Sequence, residues 1–363
     1  MASKDVELGR ATAVVAEQVV AELTSANRVL HSVGLGVVAD YAINGGVLLS
    51  TVSQEILSMS EVRQMATLAA LWRLWAKGKN VAAMHPDMAS ELATYRTGTL
   101  PGQLFRNLAR HPNLMVVFAE PPAMELSVGG GGKGRLLAIL FSGRRTPDKL
   151  LCLTSDHRMD EIAVTVICEP IAEDGTPLPP PPGGTTPVLE FCHLSIPARA
   201  GDEFTAEDLA LRIARKSGRE EPTDAQRAIV TRALQVAVYL CSSKADIAAP
   251  PTPRGKAAKP GKQRRWNKPD TFLRLGWRLG PRLKAARVRA QEARRSAARS
   301  TGGSGAAGGW RQYTHQRGGH LKTVWYGPGK KFSDSRLIEP YWVSQDLLNA
   351  DGEAPEGIIR PLR

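Results

Sequence analysis

Imidazole, guanidinium and aromatic side chains concentrate near the end of the chain, between residues 315 and 329. The segment reads His315-Gln-Arg317-Gly-Gly319-His320 and continues, after four intervening residues, as Trp325-Tyr326-Gly327-Pro328-Gly329. Side chains of these types capture a peptide or a nucleobase by hydrogen bonding and stacking, and glycines let the ligand come close. A hairpin that uses its Trp and Tyr as a small local core is the alternative. We predict that the partner-binding residues are His315, Arg317, Gly319, His320, Trp325 and Tyr326.

Other residue groups that could do chemistry do not form a catalytic or metal-binding pattern. His315 and His320 on their own supply too few ligands for a metal. The acidic residues and the His between 156 and 161 occupy one short segment, where exposed polar turn residues are ordinary; an enzyme acting there would need a bound metal or a deep pocket. Residues 34–39 have the glycine spacing of a dinucleotide site, but no strand is predicted before them. We predict neither enzymatic activity nor a cofactor, a metal or a small-molecule substrate.

Positive charge is confined to one part of the chain. Residues 254–336 contain 22 Lys and Arg against 3 Asp and Glu, a local charge of +19, whereas the whole chain carries +13. The remainder is therefore mildly acidic. A helix predicted from Pro281 to about Arg299 could bind a phosphate backbone or a ribosome. It could equally pack against the acidic remainder of the chain or simply be exposed to solvent. The candidate nucleic-acid or ribosome contacts are Arg282, Lys284, Arg287, Arg289, Arg294 and Arg295.

Length and composition describe a globular protein with a substantial core. The chain has 363 residues, 42% of them apolar, which is enough for about two or three domains. Four cysteines without a C-x-x-C pair do not form a disulfide framework and indicate a reducing compartment. The N-terminus lacks the apolar core of a signal peptide, and no apolar run reaches about 20 residues, the length of a membrane helix. We therefore expect a cytoplasmic protein without a membrane partner.

Hydrophobic periodicity changes along the chain and predicts an α+β fold. Helical spacing dominates residues 1–110, and short runs rich in β-forming residues follow from Leu114 to Leu194. Short turns between these runs predict an antiparallel β-meander, which helices at 205–217 and 223–243 would cover. The predicted regions are a helical N-terminal region (1–110), an antiparallel sheet plus helices (111–247), a basic Pro/Gly linker (248–270), a basic helix (271–300) and a small C-terminal β module (301–363).

The C-terminal motif resembles the signature of a known family, the type V-A anti-CRISPR inhibitors. That signature is approximately His-x-Arg-Arg-Gly-His-Trp, followed by a Trp and by Gly-x-Gly, with a Pro further on. Two positions depart from it, because Gly318 and Leu321 stand where Arg and Trp are usual. A fainter likeness runs back through residues 278–280, 234–246, 114–119 and 68–75. The matching positions, in the same spacing, are His315, Arg317, Gly319, His320, Trp325, Gly327, Gly329 and Pro340.

The resemblance implies a non-enzymatic inhibitor that is encoded by a phage or another mobile element. It implies that the protein binds the N-terminal segment of a CRISPR effector nuclease during synthesis, in the bacterial cytoplasm, and lowers effector production through loss of the message. The aromatic module would then capture the segment, and the basic helix would contact the ribosome or mRNA. The alternative is a general RNA- or DNA-binding protein of a mobile element that acts through its basic C-terminal segment.

Overall fold

The computed structural model of the protein describes residues 2–32, six helical residues between 68 and 76, and the ranges 80–111, 113–126, 132–145, 150–151, 161–179, 189–216, 218–249, 272–300, 315–317, 320–338 and 341–343. Its helices are α1 (Ala2–Ser32), α2 (Pro86–Ala93), α3 (Ala206–Lys216), α4 (Asp224–Leu240) and α5 (Leu279–Ser300), with 3₁₀ helices at Gly102–Arg110 and Pro328–Lys330. Most of the predicted linker, the segment around His157 and residues 34–39 lie outside the described residues.

The described strands follow in chain order. They are β1 (Asn80–Met84), β2 (Leu100–Pro101), β3 (Leu114–Phe118), β4 (Ala123–Leu126), β5 (Gly132–Arg145), β6 (Leu150–Leu151), β7 (Glu161–Ile171), β8 (Glu190–Pro197), β9 (Glu203–Phe204), β10 (Ile247–Ala248), β11 (Leu273–Leu275), β12 (His315–Arg317), β13 (His320–Tyr326), β14 (Phe332–Ile338) and β15 (Tyr341–Val343).

A nine-stranded mixed sheet forms the centre of the described part of the protein. Along its main path the strands follow the order β10-β11-β1-β3-β5-β7-β8, and β4 and β6 both pair with β5. Strands β3, β5, β7 and β8 are antiparallel neighbours, which confirms the predicted meander. Strand β1 instead pairs in parallel with β3 and with β11. The α+β class is therefore confirmed, and a parallel part extends the antiparallel one.

Two strands lie where the sequence predicted helix. Strand β1 falls inside region 1–110, predicted to be helical, and β11 falls inside region 271–300, predicted as the basic helix. Each run is too short to show a period of its own, so the helical signal around it dominated the prediction. Burial decides the conformation of β1, because alternate residues from Val81 to Met84 pack into cores on opposite faces of the sheet. The basic helix itself begins at Leu279.

Helices cover both faces of the sheet, so the protein has three layers. On one face α2, the first 3₁₀ helix, α3 and α4 share a core with strand residues such as Val116 and Phe118. On the other face α1 and helical residues between 68 and 76 pack against Met115 and Val117. Successive side chains of a strand point to opposite faces, so burial on both faces requires an unbroken apolar run rather than alternation. We call the sheet with α1 to α4 the body.

Capping motifs fix the starts of α3 and α4. The Thr223 hydroxyl accepts a hydrogen bond from the Gln226 N–H at 3.2 Å, and the Gln226 side chain accepts one from the Thr223 N–H at 3.0 Å. Thr205 and Asp208 make the equivalent pair at the start of α3. Within the described ranges, no helix combines the length and the apolar content needed to cross a bilayer.

The C-terminal β module is a long hairpin. Strand β13 pairs with β14, and β12 pairs with β15, both antiparallel. The two pairings share one register. His315 lies opposite Val343, and His320 lies opposite Ile338. His320 is five residues after His315, and Ile338 is five residues before Val343. Both halves of the ladder therefore belong to the same hairpin, as the sequence predicted for the end of the chain.

Candidate partner-binding site

The tip of the C-terminal hairpin exposes three aromatic side chains. Trp325 is 40% exposed, Tyr326 49% and Phe332 54%. Tyr326 lies opposite Phe332 in the ladder, and the two rings stack with their centroids 5.5 Å apart. Trp325 lies opposite Ser333, so it projects from the other face of the hairpin. Aromatic surface is therefore available on both faces of the tip, and exposed apolar surface of this kind marks interaction sites.

The turn at the tip depends on Gly327. Its φ of 79° lies in the left-handed region, and a Cβ there would stand 2.7 Å from the Cδ2 atom of Phe332. A side chain at this position would therefore strain the backbone and push the Phe332 ring out of its stack. The stacking of Tyr326 on Phe332 therefore depends on glycine at position 327.

The predicted binding residues are distributed along the hairpin. Gly319 lies outside the described residues. Phe332 belongs to the same surface although the sequence analysis did not select it; its place opposite Tyr326 follows from a turn centred on the Gly-Pro-Gly sequence. The other predicted binding residues lie on β12 or β13, namely His315, Arg317, His320, Trp325 and Tyr326.

A buried carboxylate attaches the hairpin to the body. Asp334, on β14, is 8% exposed and accepts hydrogen bonds from the backbone N–H of Ser243 at 3.0 Å and from the Ser243 hydroxyl at 2.6 Å. The Asn107 side chain also donates to the Ser333 carbonyl at 3.1 Å. Hydrogen bonds to an ionised acceptor are stronger than those between neutral groups. The hairpin is therefore held in place while its aromatic tip stays exposed.

A second carboxylate holds the start of the basic helix α5. Asp246 accepts hydrogen bonds from the backbone N–H groups of Arg278 at 2.7 Å and Leu279 at 3.0 Å, and from the Arg278 Nε at 2.7 Å. Its own N–H donates to the buried Tyr239 hydroxyl at 2.8 Å. Asp246 therefore caps α5 from a distant part of the chain, since the first N–H groups of a helix have no partner within it.

One short turn holds both of these elements. Ser243 and Asp246 lie three residues apart after the end of α4, and we call residues 241–246 the junction turn. Three residues span at most about 11 Å of chain, so the attachment points of the hairpin and of α5 are close together. Cys241 is fully buried at the start of this turn, which fixes the junction turn to the core.

Two of the predicted nucleic-acid contacts are paired with carboxylates of α2. The Lys284 Nζ lies 2.7 Å from the Asp87 Oδ1, and the Arg287 Nη2 lies 2.7 Å from the Glu91 Oε2. The hydrogen bond to Asp87 raises the pKa of the Lys284 ammonium group. Glu91 is only 2% exposed, so its charge is available mainly to Arg287. Helix α5 therefore lies against acidic residues of the body, as one interpretation of the sequence expected.

The other predicted contacts lie along the same helix. Arg282 and Arg289 are exposed, and the Arg289 Nε donates to the Ala285 carbonyl at 3.3 Å. Arg294 and Arg295 fall in the C-terminal half of α5. A phosphate contact through the described side chains of α5 could therefore include the exposed Arg282 and Arg289.

The packing of α5 on α2 depends on Gly280. A Cβ there would stand 2.7 Å from the backbone N of Met88, which is closer than these atoms can approach. Because Met88 is fully buried, Gly280→Ala is expected to lower the free energy of unfolding by about 1–3 kcal/mol. Urea denaturation measures the change. Val288→Ala, at an exposed position of the same helix, is the control and should change stability by less than about 0.5 kcal/mol. An equally small effect of Gly280→Ala would contradict the close approach of the two helices.

A metal-ligand cluster and a thiol with a lowered pKa are both absent from the described residues. Within the described ranges, no group of three His, Cys, Asp or Glu side chains could hold a metal ion. Burial raises the pKa of the Cys168 thiol to about 12 and that of Cys192 to about 11. Both thiols therefore stay protonated and behave as small apolar side chains. A groove of about 240 Å³ between β8 and α3 is lined by Leu194, Leu209 and Ile213 together with charged side chains.

A comparison with protein families agrees with the resemblance seen in the sequence. The AcrVA2-like family, described as the anti-CRISPR type V subtype A2 family, matches residues 82–345. Among solved structures, a crystal structure of AcrVA2 is similar over 89% of this chain and 98% of that chain, with 12% sequence identity and a TM-score of 0.44. A comparison with curated proteins finds no match. The family match runs from the first strand of the sheet through α5 to the hairpin and includes more than half of the chain. The protein therefore belongs to the AcrVA2-like family, the anti-CRISPR type V subtype A2 family.

Proposed function

We propose that the protein is an anti-CRISPR inhibitor that binds the N-terminal segment of a type V-A effector nuclease during synthesis and lowers effector production. Family membership supports an inhibitor role and an interaction with components of the CRISPR system. The observation that carries the proposal is an exposed aromatic tip on a hairpin that a buried carboxylate attaches to the body. The proposed binding surface comprises His315, Arg317, Gly319, His320, Trp325 and Tyr326.

The physical properties of the hairpin suit the capture of a peptide. Trp and Tyr side chains offer large, rigid contact area with few rotatable bonds, so little conformational entropy is lost when they bind. Such residues dominate the binding energy of many interfaces. The hydrogen bonds between Asp334 and Ser243 hold the tip before a partner arrives. Pre-organisation of this kind improves affinity because less freedom has to be removed on binding.

In this proposal the protein acts by binding rather than by catalysis. It needs no cofactor, small-molecule substrate or membrane, and it acts in the cytoplasm of the bacterial host of a phage or mobile element. Loss of the effector message would follow from capture of the nascent segment. Contact with the ribosome or mRNA would use the exposed arginines of α5, such as Arg282 and Arg289.

A general nucleic-acid-binding protein is the second candidate function. The exposed Arg282 and Arg289 favour it. The ion pairs of Lys284 with Asp87 and of Arg287 with α2 speak against it, because they reduce the charge that α5 can offer to phosphates. A steep fall of RNA or DNA affinity with salt, lost when Arg282 and Arg289 are both replaced by Gln, would favour this candidate.

Replacing His320 and Trp325 together with Ala is expected to abolish most of the binding. Truncation of an anchoring aromatic residue costs about 2 kcal/mol or more, which corresponds to about a 30-fold loss of affinity. Fluorescence anisotropy with a synthetic peptide of the effector's N-terminal segment measures binding. A reporter fused behind that segment measures repression in cells, as reporter protein and as message. We expect both the affinity and the repression to fall together.

Val14→Ala is the matched control for that experiment. Val14 is 64% exposed on α1, which covers the opposite face of the sheet from α4, and its replacement should leave binding and repression unchanged. Thermal unfolding establishes that both proteins are folded. A folded His320→Ala/Trp325→Ala protein that still binds and represses would show that the site assignment is wrong. Loss of peptide binding with full repression would show that capture of the segment is not the cause of inhibition.

A further inference from the structure

Exposed cations accompany the stacked aromatic pair on one face of the hairpin. In the ladder Lys322 lies opposite Arg336, and four residues further along β13 Tyr326 lies opposite Phe332. Residues an even number apart in a strand point to the same face, so the two pairs lie on one face about 13 Å apart. Between them lie Val324 and Asp334, and Asp334 bonds to Ser243 of the body. The four side chains of the two pairs are all exposed.

The positive charge of this face is available to a partner. Within residues 320–338 the side chains of Lys322, Lys331 and Arg336 are exposed. Asp334 is the acidic residue of that range, and its carboxylate is buried and occupied by two hydrogen bonds from Ser243. The exposed surface of the range is therefore cationic, which is complementary to a polyanion.

We propose that this face of the hairpin binds single-stranded RNA, with bases stacked on Tyr326 and Phe332 and phosphates contacted by Lys322 and Arg336. The proposal goes beyond the proposed function, which assigns peptide capture to the hairpin and any contact with mRNA to α5. The two surfaces overlap at Tyr326 and at Phe332, which stacks on it. Because Trp325 projects from the opposite face, a peptide bound there leaves the ring of Phe332 accessible.

The flat rings favour RNA over an acidic peptide as the occupant. An acidic peptide would use the cations but gain little from stacking, whereas every nucleobase has a face that stacks on an aromatic ring. A duplex keeps its bases stacked on one another, so only a single strand can present them to Tyr326 and Phe332. Proteins recognise RNA mainly in this unstacked form, and they recognise DNA mainly as a duplex through its grooves.

Binding of a fluorescein-labelled oligouridine of about 12 nucleotides to the full-length protein tests the proposal, with anisotropy measured between about 50 and 200 mM salt. Tyr326→Leu/Phe332→Leu removes both rings and is expected to weaken binding about tenfold to a hundredfold. Tyr326→Phe/Phe332→Tyr keeps both rings and should bind like the unaltered protein. Lys322→Gln/Arg336→Gln should reduce the slope of log K against log salt by about 1.4, since each phosphate contact on a single strand contributes about 0.7.

Several outcomes would overturn the proposal. One is equal affinity for the RNA in the leucine variant and the ring-retaining variant. Another is binding of an RNA duplex of the same length as tightly as the single strand. The third is better competition for the site by the matching DNA strand or by polyglutamate than by the RNA itself. If the leucine variant does not fold, the salt slope of Lys322→Gln/Arg336→Gln decides alone, and an unchanged slope rejects the site. Repression of the effector reporter is measured in parallel. Loss of RNA binding by the Lys322→Gln/Arg336→Gln variant, with binding of the effector peptide retained, would support the RNA site and leave the proposed function standing.

Discussion

Asp246→Ala is expected to lower the free energy of unfolding by about 2–4 kcal/mol and to release the start of α5 from the body. In the folded protein this carboxylate accepts hydrogen bonds from the N–H groups of Arg278 and Leu279 and from the Arg278 guanidinium. Alanine removes that acceptor at a position that is 7% exposed. The Arg278 side chain is 79% exposed, so water replaces its share, and the loss comes mainly from the two N–H groups.

Asp246→Asn is the matched variant for this prediction. Its amide oxygen can still accept from an N–H group of α5, and Asn caps helices about as well as Asp, so the expected loss is about 1 kcal/mol. Equilibrium urea denaturation followed by circular dichroism measures both variants. Hydrogen exchange at the Leu279 amide reports the release of α5 directly. Unchanged protection of that amide in Asp246→Ala would contradict the capping role.

The junction turn gives two distant parts of the chain a common support. Asp334 on the hairpin and Arg278 at the start of α5 both bond to it, through Ser243 and Asp246 respectively. Helix α5 has further attachments along its length, among them the ion pair of Arg287 with α2. Ser243 bonds to the hairpin, whereas Asp246 bonds to α5. A change at Ser243 should therefore affect the aromatic surface more than the basic helix.

Much of the fold could be predicted because its strongest signals are local. The apolar run Leu114–Phe118 is a strand from its first to its last residue, and the capping pair Thr223 and Gln226 fixes the start of α4. Strands β1 and β11 could not be predicted, because their signals are not local. Each is short, and each is a strand because of parallel pairing with a part of the chain that is remote in sequence. Such pairing leaves no periodicity in the strand itself.

Some residues of the candidate site could likewise be identified from the local sequence, and others only from contacts with remote parts of the chain. Trp325 and Tyr326 could be selected because residue types that stack and hydrogen-bond cluster near them. Phe332 required the register across the turn. The partner carboxylates of α5 could not be inferred, since Asp87 is 197 residues from Lys284, and no local pattern distinguishes a paired lysine from a free one. Asp334 likewise has its partner 91 residues away, at Ser243.

Asp334→Ala is expected to detach the hairpin from the junction turn, at a cost of about 2–3 kcal/mol in the free energy of docking. The two hydrogen bonds that it accepts from Ser243 end on a carboxylate that is 8% exposed. Their loss leaves the body intact, because the core of the sheet does not include this side chain. Limited trypsin digestion should therefore cut the hairpin at Lys330 or Lys331 several times faster, while the body resists. Affinity for the effector peptide should fall, because the tip is no longer pre-organised.

Ser243→Ala separates the contribution of the hydroxyl from that of the backbone. It removes the 2.6 Å hydrogen bond to Asp334 but keeps the 3.0 Å bond from the Ser243 N–H, so the expected loss is about 1 kcal/mol. The double variant should be no worse than Asp334→Ala alone, because residues that share one hydrogen bond are not additive. Additive losses would mean that Ser243 and Asp334 stabilise the protein independently. The position of the aromatic tip would then have to depend on other contacts of β14, such as the bond from Asn107 to the Ser333 carbonyl.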